Sequence, residues 1–125
     1  MASTNITNKE LTTIARAEFK TCKQLLHPNV ARYYSLIIES GLVATVLELM
    51  TEGDLHSRIV AGIGMPSVDE SGAVLAGVCS GLSYLHTEQK VVHLDIKPEN
   101  IFLAPGYVCF LKVLRSTNFA GLSCL

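Results

Sequence analysis

The residues best suited to chemistry lie in one short segment, which reads His93-Leu94-Asp95-Ile96-Lys97-Pro98-Glu99-Asn100. It places a carboxylate, an ammonium group and an amide at the offsets that a phosphoryl-transfer loop requires. Asp95 taken alone could instead cap a turn, because aspartate favours such positions. The offsets of Lys97 and Asn100 favour the catalytic interpretation, since several distinct chemical requirements are met within one segment.

This segment resembles the catalytic loop of eukaryotic protein kinases, and its Lys97-Pro98-Glu99-Asn100 part is similar to the serine/threonine-specific members. The resemblance implies that Asp95 accepts the proton of the substrate hydroxyl and that Lys97 neutralises charge on the transferred phosphoryl group. It implies that Asn100 holds a magnesium ion between phosphates. ATP and Mg²⁺ are the implied cofactors, and a protein with a serine or threonine hydroxyl is the implied partner.

Further segments follow the order of this family over residues 10–111. Glu18 and the later His27-Pro28-Asn29-Val30 resemble the C-helix glutamate and the turn into the next strand. Residues 46–55 resemble a strand that runs into the hinge between the two kinase lobes. Residues 81–86 and 91–93 resemble the end of the long helix before the catalytic loop. The predicted fold class is therefore α+β, a partial protein-kinase-like fold.

The resemblance also assigns the residues around a nucleotide. Adenine would contact the backbone around Glu48 and Met50, Asp54 would be a further cofactor-binding residue, and Phe102 would form the floor under the adenine. All four assignments are expectations that follow from the family pattern.

His93 is expected to be a packing residue rather than a catalytic base. Histidine is often buried, and the family's regulatory hydrophobic column passes through this position. By the same resemblance, Cys22 and Tyr33 would contribute to that column.

Several parts of the family pattern are missing from this sequence. None of the seventeen residues before Glu18 forms a glycine-rich loop or the strand that carries the family's lysine. Glu18 is therefore expected to lack a partner and to lie on a solvated helix face. Where the family has a metal-binding Asp-Phe-Gly, residues 108–115 place cations near the expected carboxylate. Residues 118–123 only faintly resemble that motif, and Leu94 replaces the arginine common in the loop.

Two functions from different classes remain open. The first is an ATP-dependent serine/threonine protein kinase, or a portion of one. The second is a non-catalytic kinase-like fragment that acts as a binding or regulatory module through an exposed apolar face. A small-molecule phosphotransferase is disfavoured by Lys97-Pro98 and the hinge pattern. Because each missing charge-stabilising group is worth about 10² or more in rate, we expect weak or negligible activity from this chain alone.

Composition excludes other classes. A net charge of −1 provides no basic field for nucleic acid. No apolar run reaches the roughly 18 residues of a membrane span, and residues 1–10 lack the apolar region of a signal peptide, so a cytoplasmic or nuclear location is expected. The four cysteines show no metal-binding spacing. Cys22 and Cys79 are expected to be buried free thiols.

Local patterns predict the elements that carry these motifs. Thr7 with Glu10, and Ser67 with Glu70, have the spacing of capping boxes that open two helices. Pro28 is expected to end the first helix. Its apolar stripe consists of Leu11, Ile14, Ala15, Phe19, Cys22, Leu25 and Leu26.

The region between the two helices is predicted to form a hairpin. Residues 30–38 and 42–50 have the composition of two strands separated by Glu39-Ser40-Gly41. The second helix carries Val74, Val78, Leu82 and Leu85 at helical intervals. We expect residues 1–111 to form a partial protein kinase domain and residues 112–125 to be a divergent tail.

Overall fold

The computed structural model describes residues 7–63, 67–106 and 108–113 of the chain. Helices and short antiparallel hairpins alternate along it, so the predicted α+β class is confirmed. The elements are α1 Asn8–Cys22, β1 Tyr33–Glu39, β2 Leu42–Leu47, α2 Leu55–Val60, α3 Val68–Thr87, a 3₁₀ turn Pro98–Asn100, β3 Ile101–Ala104 and β4 Val108–Leu111. Residues 118–123 lie outside the described residues.

Both predicted capping boxes are present. The Thr7 amide donates to the Glu10 carboxylate at 2.8 Å, and the Glu10 amide donates back to the Thr7 hydroxyl at 3.3 Å. The Ser67 amide likewise donates to Glu70 at 2.6 Å, with a return bond of 3.2 Å. Each box satisfies amides that have no partner inside the helix, so these pairs fix where α1 and α3 begin.

The predicted end of the first helix is wrong. α1 ends at Cys22, and the Leu25 amide then donates to the Cys22 carbonyl at 3.1 Å in a tighter turn. This turn keeps Leu25 in the core but leaves Leu26 68% exposed, contrary to the predicted stripe. The Leu26 amide instead donates to the Tyr84 hydroxyl at 2.9 Å. A contact with α3 therefore sets this boundary before the chain reaches Pro28.

The predicted hairpin is confirmed, with shorter strands. β1 and β2 pair antiparallel, and Gly41 in the connecting turn has φ of 79°, where glycine has no side-chain penalty. Val30 and Ala31 do not join this hairpin as predicted. The Ala31 amide donates to the Leu111 carbonyl at 2.8 Å, so this part of the predicted strand pairs with the end of β4.

The hydrophobic core has two clusters. The first contains Cys22, Leu25, Val30, Tyr33, Tyr84, Leu85 and Val113. The second contains Val74, Val78, Ile101, Leu103, Cys109 and Leu111. Burial raises the pKa of the Cys109 thiol, whereas Cys79 is exposed, contrary to prediction, because it lies on α3 away from the Val74 and Val78 row.

None of the helices in the described part of the chain is long and apolar enough to cross a membrane.

Candidate active site

Asp95, Lys97 and Asn100 converge in one place. The Lys97 ammonium lies 3.2 Å from Asp95 Oδ2, and the Asn100 side-chain amide donates to the same oxygen at 3.1 Å. Asn100 also donates to the Asp95 backbone carbonyl at 2.9 Å. The Asp95 and Lys97 side chains are 37% and 49% exposed, whereas Asn100 is 5% exposed. A buried amide therefore holds a carboxylate that solvent and a substrate can reach.

His93 links the backbone of this loop to Lys112 through two hydrogen bonds of its ring. Its Nδ1 accepts from the Asp95 amide at 3.2 Å, and its Nε2 lies 2.8 Å from the Lys112 carbonyl. Because a carbonyl can only accept, Nε2 carries the proton and Nδ1 is the acceptor. His93 is 1% exposed, and this burial lowers its pKa. The expectation that His93 is a packing residue is confirmed.

The local sequence explains the shape of the loop around His93. Leu94 adopts φ of 65°, which turns the chain sharply between buried His93 and accessible Asp95. Pro98 then opens the 3₁₀ turn, where its lack of an amide hydrogen costs nothing. The Asn100 amide closes the turn by donating to the Lys97 carbonyl at 2.9 Å. The turn brings Asn100 back towards Asp95.

The charge state of Asp95 follows from its two neighbours. The hydrogen bond from Lys97 lowers the pKa of Asp95, and the charge of Lys97 and the Asn100 hydrogen bond act in the same direction. Both contacts involve Oδ2, which leaves Oδ1 to accept a hydrogen bond from another molecule. Asp95 is therefore an oriented acceptor that is ionised at neutral pH.

A second group of predicted residues lies beside β3. The Glu52 amide donates to the Leu103 carbonyl at 3.1 Å, and the Leu103 amide donates to the Gly53 carbonyl at 2.9 Å. Asp54 forms an isolated antiparallel bridge with Phe102. Since Phe102 follows Asn100 by two residues, and a strand advances about 3.3 Å per residue, β3 connects the catalytic-loop side chains to this segment.

The backbone around Glu48 and Met50 has a defined polarity. The Glu48 amide donates to the Arg32 carbonyl at 2.8 Å, and the Met50 carbonyl accepts from Gly53 at 3.3 Å. Within the described residues, the Glu48 carbonyl accepts no such backbone hydrogen bond and the Met50 amide donates none. They form an acceptor and donor pair of the type that an adenine edge can use.

Asp54 has a structural role, whereas its predicted role in cofactor binding stays a prediction. Its carboxylate accepts from the Ser57 amide at 2.8 Å and from the Ser57 hydroxyl at 2.7 Å. These bonds cap α2, a short helix that the sequence analysis did not predict. Burial acts to raise the pKa of Asp54, but the hydrogen bonds with Ser57 together outweigh this effect and the pKa is lowered.

The expectation that Glu18 lies on a solvated helix face is wrong. Glu18 is partly buried on α1, and this burial raises its pKa while the positive charge of Lys112 lowers it. Lys112 follows β4 and is only 6% exposed. Its proximity to Glu18 was not predicted. The signal was present, because Lys112 is the one charged residue in the apolar run 108–114.

The described residues provide only part of a magnesium site. Mg²⁺ requires octahedral oxygen ligands, usually with one or two carboxylates. Asn100 fits this requirement, because its nitrogen is held by Asp95 and its amide oxygen remains as a ligand. Among the described residues, no cluster of three or more acidic, histidine or cysteine side chains could complete the site. Lys112 instead places a cation on the stretch where the resemblance implies a carboxylate.

Known protein families and curated proteins include sequences similar to this chain. The profile of the protein kinase domain matches residues 1–114. CBL-interacting serine/threonine-protein kinase 17 of Arabidopsis thaliana is 35% identical over 111 residues, which are 88% of this chain and 24% of that protein.

Two other relatives are similarly distant. Serine/threonine protein kinase OSK3 of Oryza sativa subsp. indica is 33% identical over 123 residues, covering 94% of this chain and 24% of the relative. A probable myosin light chain kinase of Dictyostelium discoideum is 32% identical over 105 residues, or 84% and 21% respectively. The chain thus spans less than a quarter of the length of these relatives.

Proposed function

The chain belongs to the protein kinase family, and on this premise we propose that it carries the catalytic-loop part of an ATP-dependent serine/threonine protein kinase. The observation that supports this function best is the convergence of Lys97 and Asn100 on one oxygen of Asp95. The serine/threonine class follows from the Lys97-Pro98-Glu99-Asn100 sequence and from the named relatives.

In the proposed reaction, Asp95 orients the hydroxyl of a protein substrate. Its Oδ1 accepts the hydroxyl hydrogen bond while Oδ2 stays bound to Lys97 and Asn100. Because the carboxylate is ionised, it can take the hydroxyl proton as the bond between the hydroxyl oxygen and the γ-phosphorus of ATP forms. The bond from the γ-phosphorus to the bridging oxygen breaks in the same step, and ADP leaves.

Lys97 supplies positive charge beside this acceptor. Its ammonium has three donors, and one faces Asp95 at 3.2 Å. The others can reach oxygens of a phosphoryl group placed above Asp95, where the preset charge stabilises the transition state.

The nucleotide would bind along β3. We propose that adenine bonds to the Glu48 carbonyl and the Met50 amide and rests on Phe102, with Asp54 fixing the end of this segment. ATP supplies the transferred phosphoryl group, and in a complete kinase with a metal-binding carboxylate after β4, Asn100 would provide one magnesium ligand.

The turnover of this chain alone should be negligible. Its sequence contains no glycine-rich phosphate loop, strand lysine or Asp-Phe-Gly. Each such charge-stabilising part contributes on the order of 10² or more in rate, so the loop geometry cannot replace them.

Peptide phosphorylation from ATP and Mg²⁺ tests this function. We would compare the chain with a chimera in which the upstream strands of a complete serine/threonine kinase precede Glu18 and its later segments follow Leu111. We expect no turnover from the chain alone. The chimera should be active and should lose about 10²-fold or more on Asp95→Asn.

Asp69→Asn provides the matched control, because Asp69 is an exposed aspartate in the first turn of α3. The proposed function is wrong if the chimera is active and the two substitutions reduce its turnover equally.

A further inference from the structure

Lys112 is built into the floor of the candidate active site. Its amide donates to the Asn100 carbonyl at 2.9 Å, and its carbonyl lies 2.8 Å from His93 Nε2. The residue therefore connects to both ends of the catalytic loop through its backbone. With 6% exposure, its aliphatic stem is packed among protein atoms rather than extended into solvent.

The face of α1 that carries Glu18 is packed against the same segment. Cys22, one helical turn after Glu18, places its thiol 3.5 Å from the Val113 carbonyl, and the Tyr33 hydroxyl donates to that carbonyl as well. Side chains four residues apart share a helix face. Glu18 is therefore directed towards the chain that leaves β4, although no direct ion-pair contact joins it to Lys112.

Burial makes the positive charge of Lys112 energetically costly. A buried ammonium without a negative charge nearby is strongly unfavourable, and Glu18 supplies that charge from α1. A divalent cation at Asn100 would instead add positive charge close to Lys112. Replacing the expected carboxylate by lysine therefore removes one metal ligand and adds electrostatic repulsion.

We propose that Lys112 is the resident cation of this site, balanced by the Glu18 carboxylate, and that it excludes a divalent metal ion from Asn100. This inference rests on the proposed function only in taking the catalytic loop as the ligand site.

Binding of Mn²⁺ to the full chain tests the proposal without requiring turnover. Paramagnetic broadening of the Asn100 side-chain amide signals in NMR spectra reports a metal ion at that residue. We expect no selective broadening in the unchanged protein. Lys112→Asp should show selective broadening of these signals. Its affinity for Mn²⁺ should exceed that of the unchanged protein by about ten-fold or more, because the substitution adds a ligand and removes a positive charge.

Two further variants identify the cause. Lys112→Met removes the charge without adding a ligand and should give much weaker broadening than Lys112→Asp. Combining Lys112→Asp with Asn100→Ala should remove the gained site, as followed by solvent-proton relaxation. If Lys112→Asp does not fold because two carboxylates face each other, Glu18→Gln combined with Lys112→Asp replaces it.

Selective broadening of Asn100 in the unchanged protein would overturn the proposal. Equal Mn²⁺ affinity of a folded Lys112→Asp variant and the unchanged protein would also overturn it. Neither result depends on Asp95, so a failed metal test is distinguishable from a failed phosphorylation test.

Discussion

Leu94 carries an unfavourable backbone conformation beside Asp95. Its φ of 65° is a left-handed value that costs a residue with a side chain about 1–2 kcal/mol. The Leu94 side chain is 75% exposed, so its own packing does not offset this free-energy cost. The turn is instead maintained by the hydrogen bonds of His93 and Asn100 on either side.

Leu94→Asn should stabilise the protein. Asparagine tolerates the left-handed region better than leucine, so we expect the free energy of unfolding to rise by about 0.5–1 kcal/mol. Chemical denaturation measures the change. Leu75→Asn is the control, because Leu75 is 63% exposed on α3 and should gain nothing. Equal changes in both variants would contradict a backbone origin.

His93 should make stability depend on pH. Its folded-state pKa lies below the ordinary value of 6.5 because burial disfavours the imidazolium. Stability from the neutral ring is therefore fully present above pH 6.5 and is lost as the pH falls through the folded pKa. The slope should be at most about 1.4 kcal/mol per pH unit.

The measurement compares unfolding curves of the unchanged protein and of His93→Phe from about pH 7.5 to about pH 4.5. This range includes the pH values at which imidazole titrates. The difference between the two proteins should shrink as the pH falls. Glu18 acts in the opposite direction, because its raised pKa favours the protonated folded state at low pH, but it is present in both proteins. His56→Gln, at an exposed histidine, should retain the pH dependence. A constant difference between the two proteins would contradict this role.

These residues show how far sequence reasoning extends at a site. The segment 93–100 and the burial of His93 were predictable, because the motif is continuous in the sequence. The contact of His93 with Lys112 was not, because it joins residues separated by 19 positions.

At the level of elements, the contact between α3 and β4 depends on two glycines. A Cβ atom at Gly81 would lie 2.9 Å from the Asn29 carbonyl oxygen and 3.0 Å from Leu111 Cδ1. One at Gly77 would lie 2.4 Å from Cys109 Sγ. These glycines allow α3 to approach β4, the strand that leads directly into Lys112.

Gly81→Ala should therefore destabilise the protein by about 1–3 kcal/mol, the usual cost of overpacking. Gly72→Ala on the same helix is a matched control, because its Cβ would meet no atom within 4 Å. It should instead stabilise α3 by up to about 1 kcal/mol through helix propensity. Thermal or chemical unfolding separates the two, and equal effects would contradict the packing account.

The starts of α1 and α3 were predictable, because a capping box involves residues three positions apart. The end of α1 was not, because Tyr84 on α3 binds the Leu26 amide. α2 was also missed, because its six residues contain no buried side chain and give no apolar stripe. Short-range signals thus identified elements, and long-range contacts determined their boundaries.

On the scale of the whole molecule, one segment unites the two core clusters and the candidate site. Asn29 and Ala31 pair with Leu111, Lys112 binds His93 and Asn100, and Val113 receives Cys22 and Tyr33. Sequence reasoning placed the boundary of the kinase-like part at residue 111, and that boundary stays a prediction. The described structure shows that Lys112 and Val113 are packed with the residues before them.

The convergence of Asp95, Lys97 and Asn100 is the claim on which the functional account depends most. The pKa of Asp95, measured by carboxyl carbon NMR during acid titration, tests it most directly. In the unchanged chain this pKa should lie below the ordinary value of 3.8, and Lys97→Met should raise it because Lys97 makes the largest contribution. Lys9→Met, at an exposed lysine on α1, should leave it unchanged. An Asp95 pKa that is ordinary in the unchanged chain, or that does not respond to Lys97→Met, would contradict the account.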